Sequence, residues 1–169
     1  MDFIIREAQP NDAEQIIAYV QRIAAEPGIS IVLEPGEFTL TVDQERRFIA
    51  DRAAEDNSLF LVAEVMGQIV AVLTLRGGIR HAVRHEAVLG ITVAKEWRGR
   101  GVGDTMMSRA VDWARQSGVI TRIELQVFTS NTTAIRLYKK HGFEIEGSRR
   151  KAVFREGKYH DDYVMALLL

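Results

Sequence analysis

The spacing of apolar residues changes several times along the chain, and each change marks an element. Residues 3–9 read as a short strand. From Asn11 onward, Ala13, Ile16, Ile17, Val20 and Ala24 recur at helical spacing until Pro27-Gly28 stops the helix. Turn residues on both sides of Ile31-Val32-Leu33 describe a surface loop whose apolar centre suits a pocket lining. Thr41-x-x-Gln44 has the form of a capping box, opening a second helix with Phe48, Ile49 and Ala53 turned inward. The period then drops to two. Residues 59–65 and 68–75 form a hairpin joined by Met66-Gly67, and methionine's dislike of positive φ argues against a two-residue loop there.

Residues 87–94 alternate Leu89, Ile91 and Val93 with Val88, Gly90 and Thr92, as a strand does. A helix follows from near Gly101, with Val102, Met106, Met107, Ala110, Val111 and Ala114 inside and Gly118 past its end. Ile123, Leu125 and Val127 alternate with Arg122, Glu124 and Gln126 in another strand. Residues 131–141 are helical with Gly142 as their stop, and two last strands pair across Glu156-Gly157. The order is β-α-α-β-β-β-α-β-α-β-β, an α/β (α+β) chain whose mixed sheet carries helices on both faces. At 169 residues, with no linker or repeat, it is expected to be one domain over 1–169.

Composition narrows the chemistry. Lys plus Arg (22) balances Asp plus Glu (23), so no broad positive field is available for nucleic acid. Cysteine is absent, which removes disulfides, zinc–thiolate sites and any cysteinyl acyl intermediate. The charged N-terminus does not read as a signal peptide, and no apolar run reaches the ~20 residues of a membrane span. A cytoplasmic protein without a membrane partner is the expectation.

The stretch Val93-Ala94-Lys95-Glu96-Trp97-Arg98-Gly99-Arg100-Gly101-Val102-Gly103 joins a strand to a helix through glycines. Such a turn presents unpaired N–H groups at the positive end of a helix, where an anion's oxygens can accept them. Arg98 and Arg100 add charge only where they aim at the ligand. Glycines followed by Lys-Ser or Lys-Thr would indicate a P-loop, and these are not. A dinucleotide fingerprint would need its glycines directly after the strand; Glu124, at the distance of its acidic residue, is more simply a solvent-facing strand position.

A second stretch, Asn131-x-x-Ala134-x-x-x-Tyr138-x-x-x-Gly142-Phe143, follows the next strand. Taken with Arg98-x-x-Gly101-x-Gly103, it resembles the GNAT superfamily of N-acetyltransferases, and the order of elements resembles that fold along nearly the whole chain. The resemblance implies acetyl-CoA as co-substrate, its pyrophosphate on the amides of Arg98, Gly99, Arg100, Gly101, Val102 and Gly103. It places the pantetheine arm beside Ile91, Thr92 and Val93 where neighbouring strands splay, with Asn131 and Ala134 near the arm and Tyr138 near the thioester sulfur. An amine then attacks the thioester directly. A leaving thiolate of ordinary pKa about 8.5 is well served by a phenol of pKa about 10. Core packing remains the alternative for Tyr138, and helix capping for Asn131.

Many relatives are thought to carry an acid on the fourth strand, yet residues 88–93 contain none. Glu86 just before that strand, Glu37 in the helix-connecting loop, and His81 or His85 are the candidate bases. His81 and His85 have the form H-x-x-x-H, but neither a helix nor a third ligand supports a metal. His160-Asp161-Asp162 reads as loop-side polarity of the last hairpin, able to shape the acceptor site, and Arg149-Arg150-Lys151 as a solvated strand edge. An α-amine near pKa 8 is neutral in roughly one molecule in ten at pH 7, against about one in a few thousand for a lysine-like amine. This favours an α-amine, and the run Gly157-Lys158-Tyr159-His160-Asp161-Asp162-Tyr163-Val164-Met165 resembles the ending of bacterial branches of the family that act on protein N-termini, amino acids or small-molecule amines, with Glu34, Glu37 and Glu86 available to attract the acceptor's positive charge. A homodimer is compatible with the resemblance. The alternative function is a non-catalytic acetyl-CoA-binding regulator.

Overall fold

A computed structural model describes residues 2–169. The elements follow in the expected order: β1 (Ile4–Glu7), α1 (Ala13–Ala24), α2 (Val42–Ala54), β2 (Leu59–Val65), β3 (Gln68–Gly77), β4 (Glu86–Val93), α3 (Val102–Ser117), β5 (Arg122–Phe128), α4 (Thr132–Lys140), β6 (Glu144–Arg155) and β7 (Lys158–Leu168). The strands build one seven-stranded sheet, β1-β2-β3-β4-β5-β7-β6, antiparallel except where β4 meets β5.

Local chemistry accounts for most boundaries. Thr41 Oγ accepts from the Gln44 amide at 3.2 Å while Gln44 Oε1 accepts from the Thr41 amide at 2.8 Å, so the capping box that starts α2 is complete. Gly118, at φ 68°, ends α3. Met66-Gly67 does form a two-residue turn. Val65 pairs with Gln68, and Met66 takes φ 48° because the twist of a tight hairpin requires it; its side chain stands in solvent, where nothing opposes the conformation. Two helix faces also differ from the expected ones. In α1, Tyr19 and Ile23 are buried and Ile17 and Val20 only half-buried; in α2, Glu45 is buried and Ala53 is exposed. A one-residue rotation of the apolar stripe separates the two patterns.

Register and alternation sort the side chains between two faces. Phe60, Thr74 and Gly90 line up across β2, β3 and β4. On their face α2 packs Phe48 edge-on against Phe60, with ring centroids 6.0 Å apart, and α1 sends the Tyr19 hydroxyl to Thr92 Oγ1 at 3.1 Å. Leu73, Leu89, Ile91 and Val93 face the other way, toward α3 and α4. There, a β-carbon on Gly103 would lie 3.5 Å from Leu137, 3.7 Å from Val93 and 3.9 Å from Ile91.

The sheet is split in the middle. β4 and β5 pair only through Glu86↔Arg122, Ala87↔Ile123 and Val88↔Glu124. Beyond that point β4 stays with β3 as far as Ala71↔Val93, and β5 stays with β7 as far as Phe128↔Asp162. No helix of the described residues is long and apolar enough to cross a membrane.

Candidate active site

One wall of the split is the free edge of β4. Ala94 donates its amide to Val70 across β3 at 2.8 Å, so alternation turns the peptide groups of Thr92 toward β3 and those of Ile91 and Val93 toward the split. Backbone groups inside a sheet ordinarily find strand partners. Here Ile91, Thr92 and Val93 are half-exposed although their strand is central. A ligand lying along this edge can take the hydrogen bonds that β5 does not.

At the end of that edge the chain makes a short helical turn, Lys95–Trp97, and enters α3 through Gly99 (φ 72°) and Gly101 (φ 84°). Both angles are left-handed, which glycine adopts without strain. No side chain caps α3, and the amides of residues 99–104 have no acceptor among the described residues. These donors sit at the positive end of a sixteen-residue helix, a ready anion site.

The Arg98 amide is already spent on the Lys95 carbonyl at 3.3 Å. Its guanidinium grips Glu26 at 2.6 and 2.7 Å and donates through Nε to the Val93 carbonyl at 2.9 Å. Arg98 therefore fixes the loop rather than offering it charge. Arg100 lies over the Trp97 ring, 4.9 Å from its centroid. Asp104, beside the free amides, is held by Lys140 Nζ at 2.7 Å and His141 Nε2 at 2.9 Å, and these two partners keep its carboxyl below the usual range. The charge of Lys140 offsets the repulsion an anion would otherwise meet.

Tyr138, on α4, is only 7 % exposed and packs 6.0 Å from the Phe143 ring. Burial pushes its phenol up to about 12, so the hydroxyl keeps its proton at any physiological pH. Asn131 caps α4 by accepting from the Ala134 amide at 3.2 Å. The capping role is thus present, and it leaves the amide nitrogen of the side chain unused.

The acidic candidates separate clearly. Glu37 is exposed and uses its carboxylate on the Glu34 amide at 2.7 Å. Glu86 is half-buried, 3.9 Å from Arg122, two positions before the point where the strands part. Glu124 stands at that point, on the same face as Glu86, bonded to Arg122 at 2.9 Å and to Gln126 at 3.2 Å. Its position in the pattern gave no hint of this, because the pairing with β4, not the alternation, brings it there. His81 and His85 are exposed. His160, Asp161 and Asp162 lie within β7 rather than in a loop: His160 stacks on Phe128 at 4.9 Å, and buried Asp162 binds Arg149 at 2.8 and 2.5 Å. Tyr19 and Glu26 were also missed. Tyr19 falls outside the apolar stripe that the spacing assigns to α1, and a carboxylate beside Pro27-Gly28 reads as turn polarity.

Comparison with known proteins identifies the family and the fold. Residues 14–143 match the model of the Acetyltransferase (GNAT) family. An L-amino acid N-acetyltransferase of Escherichia coli K12 is 36 % identical over 98 % of this chain and 97 % of its own length. The crystal structure of a GNAT-family acetyltransferase from Streptococcus pneumoniae superposes with a TM-score of 0.95 at 34 % identity, covering 99 % of both chains. A Salmonella typhimurium protein described as a putative acetyltransferase, solved with its cofactor acetyl-CoA, shares the fold, with a TM-score of 0.86 at 20 % identity over 100 % of this chain and 95 % of its own.

Proposed function

The chain belongs to the acetyltransferase (GNAT) family, and from that premise we propose that it transfers the acetyl group of acetyl-CoA to the primary amine of a small acceptor, free L-amino acids foremost. One observation carries the reading: a strand edge without a strand partner leads, through one short helical turn, into a loop of unpaired amides. A flexible arm ending in a diphosphate matches both parts. The diphosphate sits on the amides of Gly99, Arg100, Gly101, Val102 and Gly103, while Arg98 holds the loop. The arm extends back along Val93 and Ile91, with Thr92 fixed by Tyr19 and with Asn131 and Ala134 flanking it. The thioester then arrives near the last β4–β5 pair.

Attack follows by direct transfer within a ternary complex. The amine nitrogen forms a bond to the thioester carbon, the carbon–sulfur bond breaks, and the Tyr138 hydroxyl, kept protonated by burial, donates a hydrogen bond to the departing thiolate. Glu86, next to the parting of the strands, takes the proton released by the amine, directly or through water; Glu37 is too exposed and too engaged in its own loop to compete. The full-length similarity to an L-amino acid N-acetyltransferase favours the amino-acid acceptor.

Release of coenzyme A, followed with a thiol reagent against a panel of L-amino acids and small amines, tests the reading. At least one amine is expected to stimulate release, and Gly101→Asp, which sets bulk and negative charge into the amide loop, is expected to abolish it. Tight acetyl-CoA binding with no stimulating amine would support the regulatory alternative instead.

A further inference from the structure

Past the last β4–β5 rung, the face that α1 and α2 cover elsewhere lies open. α1 packs on β3 and α2 on β2, and Gly90 is exposed although its strand is central. A β-carbon on Gly90 would come 3.4 Å from Thr74 Oγ1 and, its own chain neighbours apart, would meet nothing else within 4 Å. The room above it is therefore not filled by the chain. Across the parting, Gln126 is the first β5 residue on this face beyond Val88↔Glu124, and it too is exposed.

A relay of charged groups that begins on β6 holds the Gln126 side chain. Glu146 accepts from both terminal nitrogens of Arg122, at 2.8 and 2.6 Å, across the intervening β7. Arg122 donates in turn to Glu124 Oε2 at 2.9 Å, and Glu124 Oε1 accepts from the side-chain nitrogen of Gln126 at 3.2 Å. An ionised carboxylate accepts and does not donate, so it decides which end of the amide turns toward it. The nitrogen of Gln126 goes to Glu124. Its side-chain carbonyl is left at the free end, bonded to nothing among the described residues.

An exposed amide tied down at its nitrogen offers a ligand one acceptor oxygen, which calls for an N–H donor. A neutral primary amine has a lone pair and two N–H bonds. The lone pair goes to the thioester carbon, one N–H gives up its proton, and the other remains to be held. A neutral secondary amine has one N–H, which must leave as the proton. We propose that Gln126 is an acceptor-binding residue whose side-chain carbonyl takes an N–H of the incoming amine, that Glu124 and Arg122 are the positioning residues that aim it, and that this arrangement selects primary over secondary amines. The proposal rests on the transferase reading above.

The test compares kcat/KM for the fastest L-amino acid of the amine panel with that for its N-methyl derivative, in the full-length protein. The wild type is expected to favour the primary amine by about a hundredfold. Gln126→Met, of similar length and at an exposed position that folding does not depend on, is expected to lower kcat/KM for the primary amine about tenfold and for the N-methyl amine by no more than about twofold. The acetyl-CoA KM stays within about twofold. Methionine fills the same space, so a purely steric rejection of the N-methyl group would persist and the ratio would not move. Glu124→Gln keeps the size of the side chain and frees the Gln126 amide to turn; it is expected to reproduce part of the loss and to add nothing to Gln126→Met in the double variant. Even where Glu124→Gln fails to fold, Gln126→Met decides. A wild type that acetylates both amines equally, or a ratio unmoved in Gln126→Met, overturns the role of Gln126 and leaves the transferase reading standing. Additive losses in the double variant overturn the aiming role of Glu124. A wild type active on no amine overturns this proposal and the transferase reading together.

Discussion

Arg98 holds Glu26 with both terminal nitrogens and touches the Val93 carbonyl with its Nε. One side chain thus ties the end of α1 to the end of β4 and to the start of the amide loop. The Arg98 guanidinium also keeps the Glu26 carboxyl below its ordinary range. Since the charge is matched within the protein, its role is to hold geometry. Glu26→Gln and Arg98→Met are each expected to raise the KM for acetyl-CoA about tenfold, and the double variant to be no worse than the worse single one. Loss in Arg98→Met with Glu26→Gln neutral would show that the arginine acts on the ligand itself.

Tyr138 has a phenol held protonated by burial and no described protein acceptor for its proton. Tyr138→Phe keeps the ring packed on Phe143 and removes only the hydroxyl. Turnover is expected to fall about a hundredfold, the range of one hydrogen-bond donor aimed at developing charge, with acetyl-CoA affinity by calorimetry little changed. Unchanged turnover would reduce Tyr138 to a packing residue.

Glu86 and Glu37 differ in what surrounds them, and their glutamine variants should differ accordingly. Glu86→Gln is expected to lower kcat/KM for the amine by about one to two orders of magnitude, whereas Glu37→Gln stays within about twofold. Steady-state rates at a single pH suffice to rank them. An equal, small effect of both would shift the proton-accepting role to Glu124 or to solvent.

Glu45 is 2 % exposed and has no side-chain partner among the described residues, and burial raises its carboxyl above the ordinary value of 4.5. The folded chain therefore holds that proton more tightly than the unfolded one. Stability is present at low pH and is lost as the pH climbs from the unfolded value through the raised folded one. Glu45→Gln is expected to melt higher than wild type at pH 8, by roughly 2–4 °C for each kcal/mol relieved, with the advantage vanishing near pH 4. A lower Tm at pH 8 would mean that the carboxylate is paired in solution.

Much of this molecule can be read from local signals. Thr41 and Gln44 announce α2, Gly118 ends α3, and the glycines at 99 and 101 mark a turn of exposed amides, because capping and left-handed backbone depend on neighbours in sequence. The split cannot be read in this way. Parallel strands separated by a helix carry no mark of where their pairing stops, so Glu124 has the pattern of any outward strand residue although it stands where the strands part. Tyr19 was missed because the inner stripe of α1 is turned by one residue from the expected one. Arg155, 2 % exposed and bonded to the Ala24 carbonyl at 2.9 Å, escapes a local reading because a charged residue at a strand end reads as surface. Met66 failed the other way: hairpin twist overrode the side chain's preference.

A sheet stitched along only three rungs at one end, as β4 and β5 are, is unfinished as a piece of hydrogen-bonded architecture. Whatever lies along Ile91 and Val93 serves as a surrogate strand, completing the ladder and bracing the two flaps against each other. Occupancy and rigidity are then one event: the guest is also a structural member of the host.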